Sequence, residues 1–131
     1  HRHHLHDVIA EMHRHEIDVS LFIDPVLDQV DAAAEVDADK IEIHTGEYAN
    51  ARSEREQMEL LEVVRAAAKH ARGLGMGVNA GHGLNYLNIA PFRTIEEIEE
   101  VSIGHAVISR ALFVGLDRAV RDMLRACRGE S

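Results

Sequence analysis

Met76-Gly77-Val78-Asn79-Ala80-Gly81-His82-Gly83-Leu84 sets an ionisable imidazole among glycines directly after a short apolar strand. Glycine at such a tip lets a backbone N–H come close to a ligand. Two further segments follow the same plan of apolar strand and polar or glycine tip: Lys40-Ile41-Glu42-Ile43-His44-Thr45-Gly46 and Ser102-Ile103-Gly104-His105-Ala106-Val107-Ile108. The three tips read as one active-site rim.

Between and around these segments, helix and strand patterns alternate. A polar helical stretch, about residues 3 to 15, leads into a β-branched and aromatic run at 17 to 23. Asp24-Pro25 reads as an N-cap with proline at the first helical position, and Val26, Leu27, Val30, Ala33 and Ala34 carry that helix to about Val36. After the strand at 40 to 45, Ser53 and Glu56 form a capping box. The stripe Leu60, Leu61, Val64, Ala67, Ala68 and Ala71 then makes a helix stopped by Gly73. A strand at 77 to 80 follows. Thr94 with Glu97 suggests a second capping box opening a short acidic helix, with Val101 to Ile108 as the last strand. Leu112, Leu116, Ala119, Val120, Met123 and Cys127 line one face of a terminal helix.

Four strands joined by helical crossovers imply parallel βαβ units and an α/β fold. A small doubly wound sheet would satisfy that pattern. The chemistry-bearing residues sit at the C-terminal tips of the strands, however, where (β/α)8 barrels of TIM type carry their sites. A complete barrel takes about 250 residues, so this chain of 131 residues reads as one domain forming the four βα units of a half-barrel.

Composition narrows the partners. Fourteen Lys and Arg against 23 Asp and Glu give a net charge of −9, which repels phosphate backbones and anionic lipid, so nucleic acid and membrane surfaces are poor expectations. An anionic ligand must be held by local donors, meaning backbone amides and histidines. Cys127 is the sole cysteine and can form no internal disulfide. With no apolar run of membrane-spanning length and no basic-then-apolar leader, the expected location is the cytoplasm.

Five motifs, in this order and spacing, carry a family resemblance: Ser20-Leu21-Phe22-Ile23-Asp24, Ala32-Ala33-Ala34-Glu35, Ile41-Glu42-Ile43-His44-Thr45-Gly46, Val78-Asn79-Ala80-Gly81-His82-Gly83-Leu84 and Ile103-Gly104-His105-Ala106. From about Asp7 to Cys127 the chain resembles the C-terminal half of pyridoxine 5'-phosphate synthase. That resemblance implies a (β/α)8 barrel with additional helices, assembled as a homo-octamer, that needs no cofactor. It implies condensation of 3-amino-2-oxopropyl phosphate with 1-deoxy-D-xylulose 5-phosphate to pyridoxine 5'-phosphate, with release of phosphate and water. His82 matches the family's catalytic proton donor and Glu42 its transition-state stabiliser. Gly83, Gly104 and His105 match positions that bind the aminooxopropyl phosphate. The residue types suit the chemistry, because ring formation needs repeated proton transfers near the ordinary imidazole pKa of ~6.5. The family's remaining acid–base histidine and glutamate, and the arginines for the second substrate, lie on N-terminal strands that this chain lacks. A homo-oligomer or a complementary N-terminal half is therefore the expected partner.

Each residue also has a structural reading. Glu42, between Ile41 and Ile43, could be a hydrogen-bonded structural acid, and Gly104-His105 a strand kink with a capped histidine. His44 shares the Glu42 face by the period of two and suits a supporting or packing role better than catalysis. Glu96, Glu97, Glu99 and Glu100 read as a solvated helix face. Glu16 and Asp37 stand at helix-to-strand turns where glycine at positive φ is expected. His1, His3, His4, His6, His13 and His15 crowd the opening segment without an evident four-ligand set, so no metal site is expected and a tag-like origin fits better. The alternative to a synthase is an inactive or engineered half-barrel with a structural or assembly role.

Overall fold

The computed structural model describes residues 2–130; His1 and Ser131 lie outside the described residues. Among the described residues, four strands form one parallel sheet in the order β1-β2-β3-β4, with β1 Ser20–Ile23, β2 Lys40–His44, β3 Gly77–Gly81 and β4 Ile98–Ser102. The helices are α1 Arg2–Arg14, α2 Leu27–Glu35, α3 Gly46–Ala49, α4 Glu54–Gly73, α5 His105–Val114 and α6 Leu116–Arg128. This is an α/β fold, four consecutive units of TIM-barrel type, with every strand tip at one end of the sheet.

Strand periodicity builds the core. Ile41 and Ile43 of β2 and Val78 and Ala80 of β3 point to the helix side and are fully buried. Against them α4 presents Leu61, Val64, Ala67, Ala68 and Ala71. Burial at roughly 1.5–3 kcal/mol per large apolar side chain outweighs the surface ion pairs, each worth about 0–1 kcal/mol. The alternate side chains Lys40, Glu42, His44 and Asn79 face the other way, into what would be the lumen of a barrel. In register across that face stand Phe22, Glu42, Asn79 and Glu100.

The helix α4 starts as its sequence predicts, with Ser53 Oγ accepting from the Glu56 N–H at 3.1 Å. The Glu56 carboxylate reaches back to the Arg52 N–H at 2.6 Å rather than to that of Ser53. Glu16 and Asp37 adopt the left-handed backbone expected of them, at φ 57° and 61°.

Four expectations are corrected. The first strand begins at Ser20, in register with Lys40; residues 17–19 lead into it, with Val19 O accepting the Lys40 N–H at 3.2 Å. Asp24-Pro25 does not start α2, whose N-cap is Val26 in extended conformation. Asp24 turns its side chain to Gln29 and His44 instead.

The third and largest correction concerns 94 to 108. Thr94 closes a 3-10 turn, Ala90–Thr94, donating its hydroxyl to Pro91 O at 2.7 Å, and opens no helix. The chain turns and enters β4 at Ile98, so Glu99 and Glu100 are strand residues rather than a helix face. A bulge pairs Val78 with Ile98 but Asn79 with Glu100. Ile98 and Val101, three apart, consequently face the same core, and that spacing mimics a helix in the sequence. The strand ends at Ser102, and residues 105 to 108, expected as strand, open α5.

Fourth, the terminal helix is two helices broken at Gly115, which stands at φ 84° and ψ 154°. Ala119 and Met123 of the expected stripe are buried, while Leu112 is 83% exposed. The Arg110 guanidinium joins the two helices by donating to Asp122 Oδ2 at 3.0 and 2.5 Å. The Tyr86 hydroxyl fixes α6 to the loop after β3 through Ala119 O at 2.8 Å.

Candidate functional site

A cavity of about 540 Å³ opens at the strand tips, and Glu42, His82, Gly83, Gly104 and His105 all line it. They come from β2, the turn after β3 and the junction of β4 with α5, so parallel order alone brings them to one place. Phe22, Asn85 and Ser102 are among the residues that line it beside them.

Glu42 is held across two strands. Ser102 Oγ donates to its Oε2 at 3.1 Å, passing over β3 at Gly81. A Cβ built at Gly81 would overlap Glu42 Oε1 and stand 3.1 Å from Ser102 Cβ. Gly81 is thus the space the carboxylate occupies.

His82 sits at φ 81°, a region that costs a non-glycine residue strain and persists only where surrounding contacts enforce it. Thr45 supplies that enforcement. Its buried hydroxyl lies 2.7 Å from both Gly81 O and His82 O, and its N–H donates to Gly81 O at 2.8 Å. Gly83 follows at φ 80°, where a Cβ would stand 2.5 Å from Ala49 Cβ. Asn88 secures the same turn, donating Nδ2 to Gly83 O at 3.1 Å and accepting the Asn85 N–H at 2.7 Å.

Gly104 and His105 form the start of α5. The first intrahelical bond runs from the Ile108 N–H to Gly104 O at 3.0 Å, leaving the preceding amides of the first turn free of intrahelical partners. No acidic residue stands in that turn. A Cβ at Gly104 would meet nothing within 4 Å, so the helix end is open toward the cavity. Free amides and the helix dipole suit an anion.

His44 lies next to this site, its ring between Phe22 and His82 with centroids 5.2 and 4.8 Å away. Deeper on the same face, Asn79 Oδ1 is buried and has no hydrogen-bond partner among the described residues. Among those residues there is also no group of three or more His, Cys, Asp or Glu placed to hold a metal ion, and no helix long and apolar enough to cross a membrane.

Sequence reasoning passed over Ser102, the role of Gly81 and Thr45. The contacts of Ser102 and Gly81 depend on cross-strand register, which the bulge shifts. Thr45 left one usable signal, a small polar residue directly after a strand whose inward positions are apolar.

Comparison with known proteins identifies the family. The model of the family described as "Pyridoxal phosphate biosynthesis protein PdxJ" matches residues 1–129. A pyridoxine 5'-phosphate synthase of Pelodictyon phaeoclathratiforme is 59% identical over 109 residues, 83% of this chain and 46% of the relative. Those of Chlorobium phaeobacteroides and Geobacter sulfurreducens are 53% and 52% identical, over 92% of this chain and 51% and 50% of their own. The chain spans about half the length of the curated relatives it matches. Its four βα units, its strand-tip site and these matches together place the chain in the PdxJ family of pyridoxal phosphate biosynthesis proteins.

Proposed function

We propose that this chain supplies the aminooxopropyl phosphate side of a pyridoxine 5'-phosphate synthase site, completed by an N-terminal half-barrel on the same polypeptide, on a second chain or within a homo-oligomer. The observation that carries the reading is the convergence of Glu42, His82, Gly83, Gly104 and His105 on one cavity. The relatives bear the synthase name, and nothing in those names favours a purely structural half-barrel.

In this reading the phosphate of 3-amino-2-oxopropyl phosphate rests on the amides at the start of α5 and on Gly83, with His105 as an added donor. Glu42, fixed by Ser102, faces the cationic imine-like intermediates that form as the amine joins the ketone of 1-deoxy-D-xylulose 5-phosphate. His82 donates protons as phosphate and water depart. The open edges of β1 and β4 and the unpartnered Asn79 Oδ1 support a covering half that pairs both edges and brings a donor to the lumen. The reading places the work in the cytoplasm, where a lone Cys127 needs no oxidising surroundings.

The test uses the assembled barrel, meaning this chain together with its complementary N-terminal half. His82→Ala or Glu42→Gln should lower pyridoxine 5'-phosphate formation at least ~10²-fold, the usual contribution of one general acid–base group. Assembly should be unchanged. Without the N-terminal half, turnover should fall by at least the same factor. Full turnover in both variants would overturn the site assignment.

A further inference from the structure

We infer that His44, oriented by Asp24, is a positioning residue for His82. The inference rests on the synthase reading for its effect on turnover, and on geometry alone for its structural part.

His44 ends β2, and its Nδ1 lies 3.2 Å from Asp24 Oδ1. A carboxylate only accepts, so that contact requires the proton on Nδ1 and leaves Nε2 bare when the ring is neutral. The ring so fixed leans on His82 at a centroid distance of 4.8 Å and a tilt of 51°. On its other side Phe22 meets it edge-on, at 5.2 Å and 69°. Phe22, His44 and His82 form a row of three rings across the tips of β1, β2 and β3.

Gly46 shows how tightly this row is fitted. A Cβ there would stand 2.7 Å from His44 Nε2, 2.9 Å from His44 Cε1 and 3.2 Å from His82 Cδ2. Both rings therefore occupy space that any larger residue would fill. Thr45 fixes the backbone at His82, and the His44 ring packs against the His82 imidazole itself. Asp24 is the far end of the chain, its own backbone N–H bonded to Gln29 Oε1 at 3.0 Å.

The pair itself adds little stability. Asp24 and His44 side chains are 58% and 30% exposed, and exposed pairs contribute little to folding. What it sets is the tautomer and rotation of one ring, and through that ring the direction of another. Small misplacements of a proton donor cost rate rather than ground-state binding.

The test uses the assembled barrel with 15N-labelled histidine. Long-range 1H–15N spectra at about pH 8, where an ordinary imidazole is neutral, should show wild-type His44 protonated on Nδ1. Asp24→Asn retains an acceptor oxygen and should preserve that form. Asp24→Ala should move the proton to Nε2 and shift the ring signals of His82, with the melting temperature unchanged. In turnover, Asp24→Ala should lower kcat roughly tenfold, with KM for the aminoketone phosphate unchanged, and Asp24→Asn should restore it. An Nε2-protonated His44 in the wild type, or His82 signals unmoved in Asp24→Ala, would overturn the inference. A wild-type barrel that makes no pyridoxine 5'-phosphate would instead count against the synthase reading, and the spectra would still decide the positioning role.

Discussion

Gly81 and Glu42 exclude one another's growth: the Glu42 carboxylate fills the space that a β-carbon on Gly81 would need, and Ser102 Oγ closes over it at 3.1 Å. Gly81→Ala must displace either the acid or β4. Overpacking of this kind costs about 1–3 kcal/mol, and in the assembled barrel turnover should fall at least tenfold as the carboxylate leaves its place. Gly73, near the end of α4 with nothing within 4 Å of a built Cβ, is the control. Gly73→Ala should be neutral or stabilising by up to about 1 kcal/mol. Urea unfolding beside turnover reads both, and equal behaviour of the two variants would disprove the steric account.

The start of α5 makes a sharper ligand prediction. Because a side chain at Gly104 projects into open space, Gly104→Val should fold normally yet obstruct the amides. Calorimetric titration with inorganic phosphate should show binding weakened at least ~10-fold, a loss of one charge-assisted contact. Glu97→Gln, in the turn before β4 and outside the cavity lining, should leave binding unchanged or slightly improved. Equal effects of the two substitutions would remove the phosphate role.

Asp39 governs an acid limb of stability. Its carboxylate accepts the Val19 N–H at 2.6 Å and faces His13 Nε2 at 2.8 Å, and these contacts, the Val19 amide foremost, hold its pKa below the ordinary carboxylate value. In the unfolded chain it protonates near ~3.9. Between that pH and its lower folded value the unfolded state binds more protons, so stability rises with pH there. The contribution is complete above about pH 4–5 and disappears as pH falls through the folded value. Asp39→Asn should unfold more easily than wild type in urea at neutral pH, and the gap should narrow as pH falls below about 4; a gap independent of pH would refute the linkage.

Much of this architecture is written locally. Ile41 and Ile43 alternate with Lys40, Glu42 and His44, and that period alone places Glu42 in the lumen; glycines around His82 mark a tip; Ser53 marks the start of α4. What could not be read depended on partners distant in sequence. The bulge opposite Val78 and Asn79 put Ile98 and Val101 on one face and disguised a strand as a helix. Asp24 carries a helix-cap signature, yet its carboxylate serves His44, twenty residues away. The break at Gly115 escaped because Leu112, Leu116 and Val120 keep a helical period across it. Family resemblance implies roles for Glu42 and His82 that periodicity does not and that await the tests above, whereas the contacts of Ser102, Thr45 and Gly81 emerged only from cross-strand geometry.

The sheet order follows chain order, each strand pairing with its immediate successor. During synthesis each unit can therefore dock on the one already made, without waiting for a distant strand, and sequence-local pairing of this kind favours rapid folding. The Ser102–Glu42 contact is different, spanning 60 residues. Glu42 emerges and takes its place in β2 long before its partner exists, and it acquires a fixed carboxylate only when β4 closes on β3. A nascent chain stopped after β3 would own the imidazole tip and the acid but not the hydroxyl contact that fixes the acid in place.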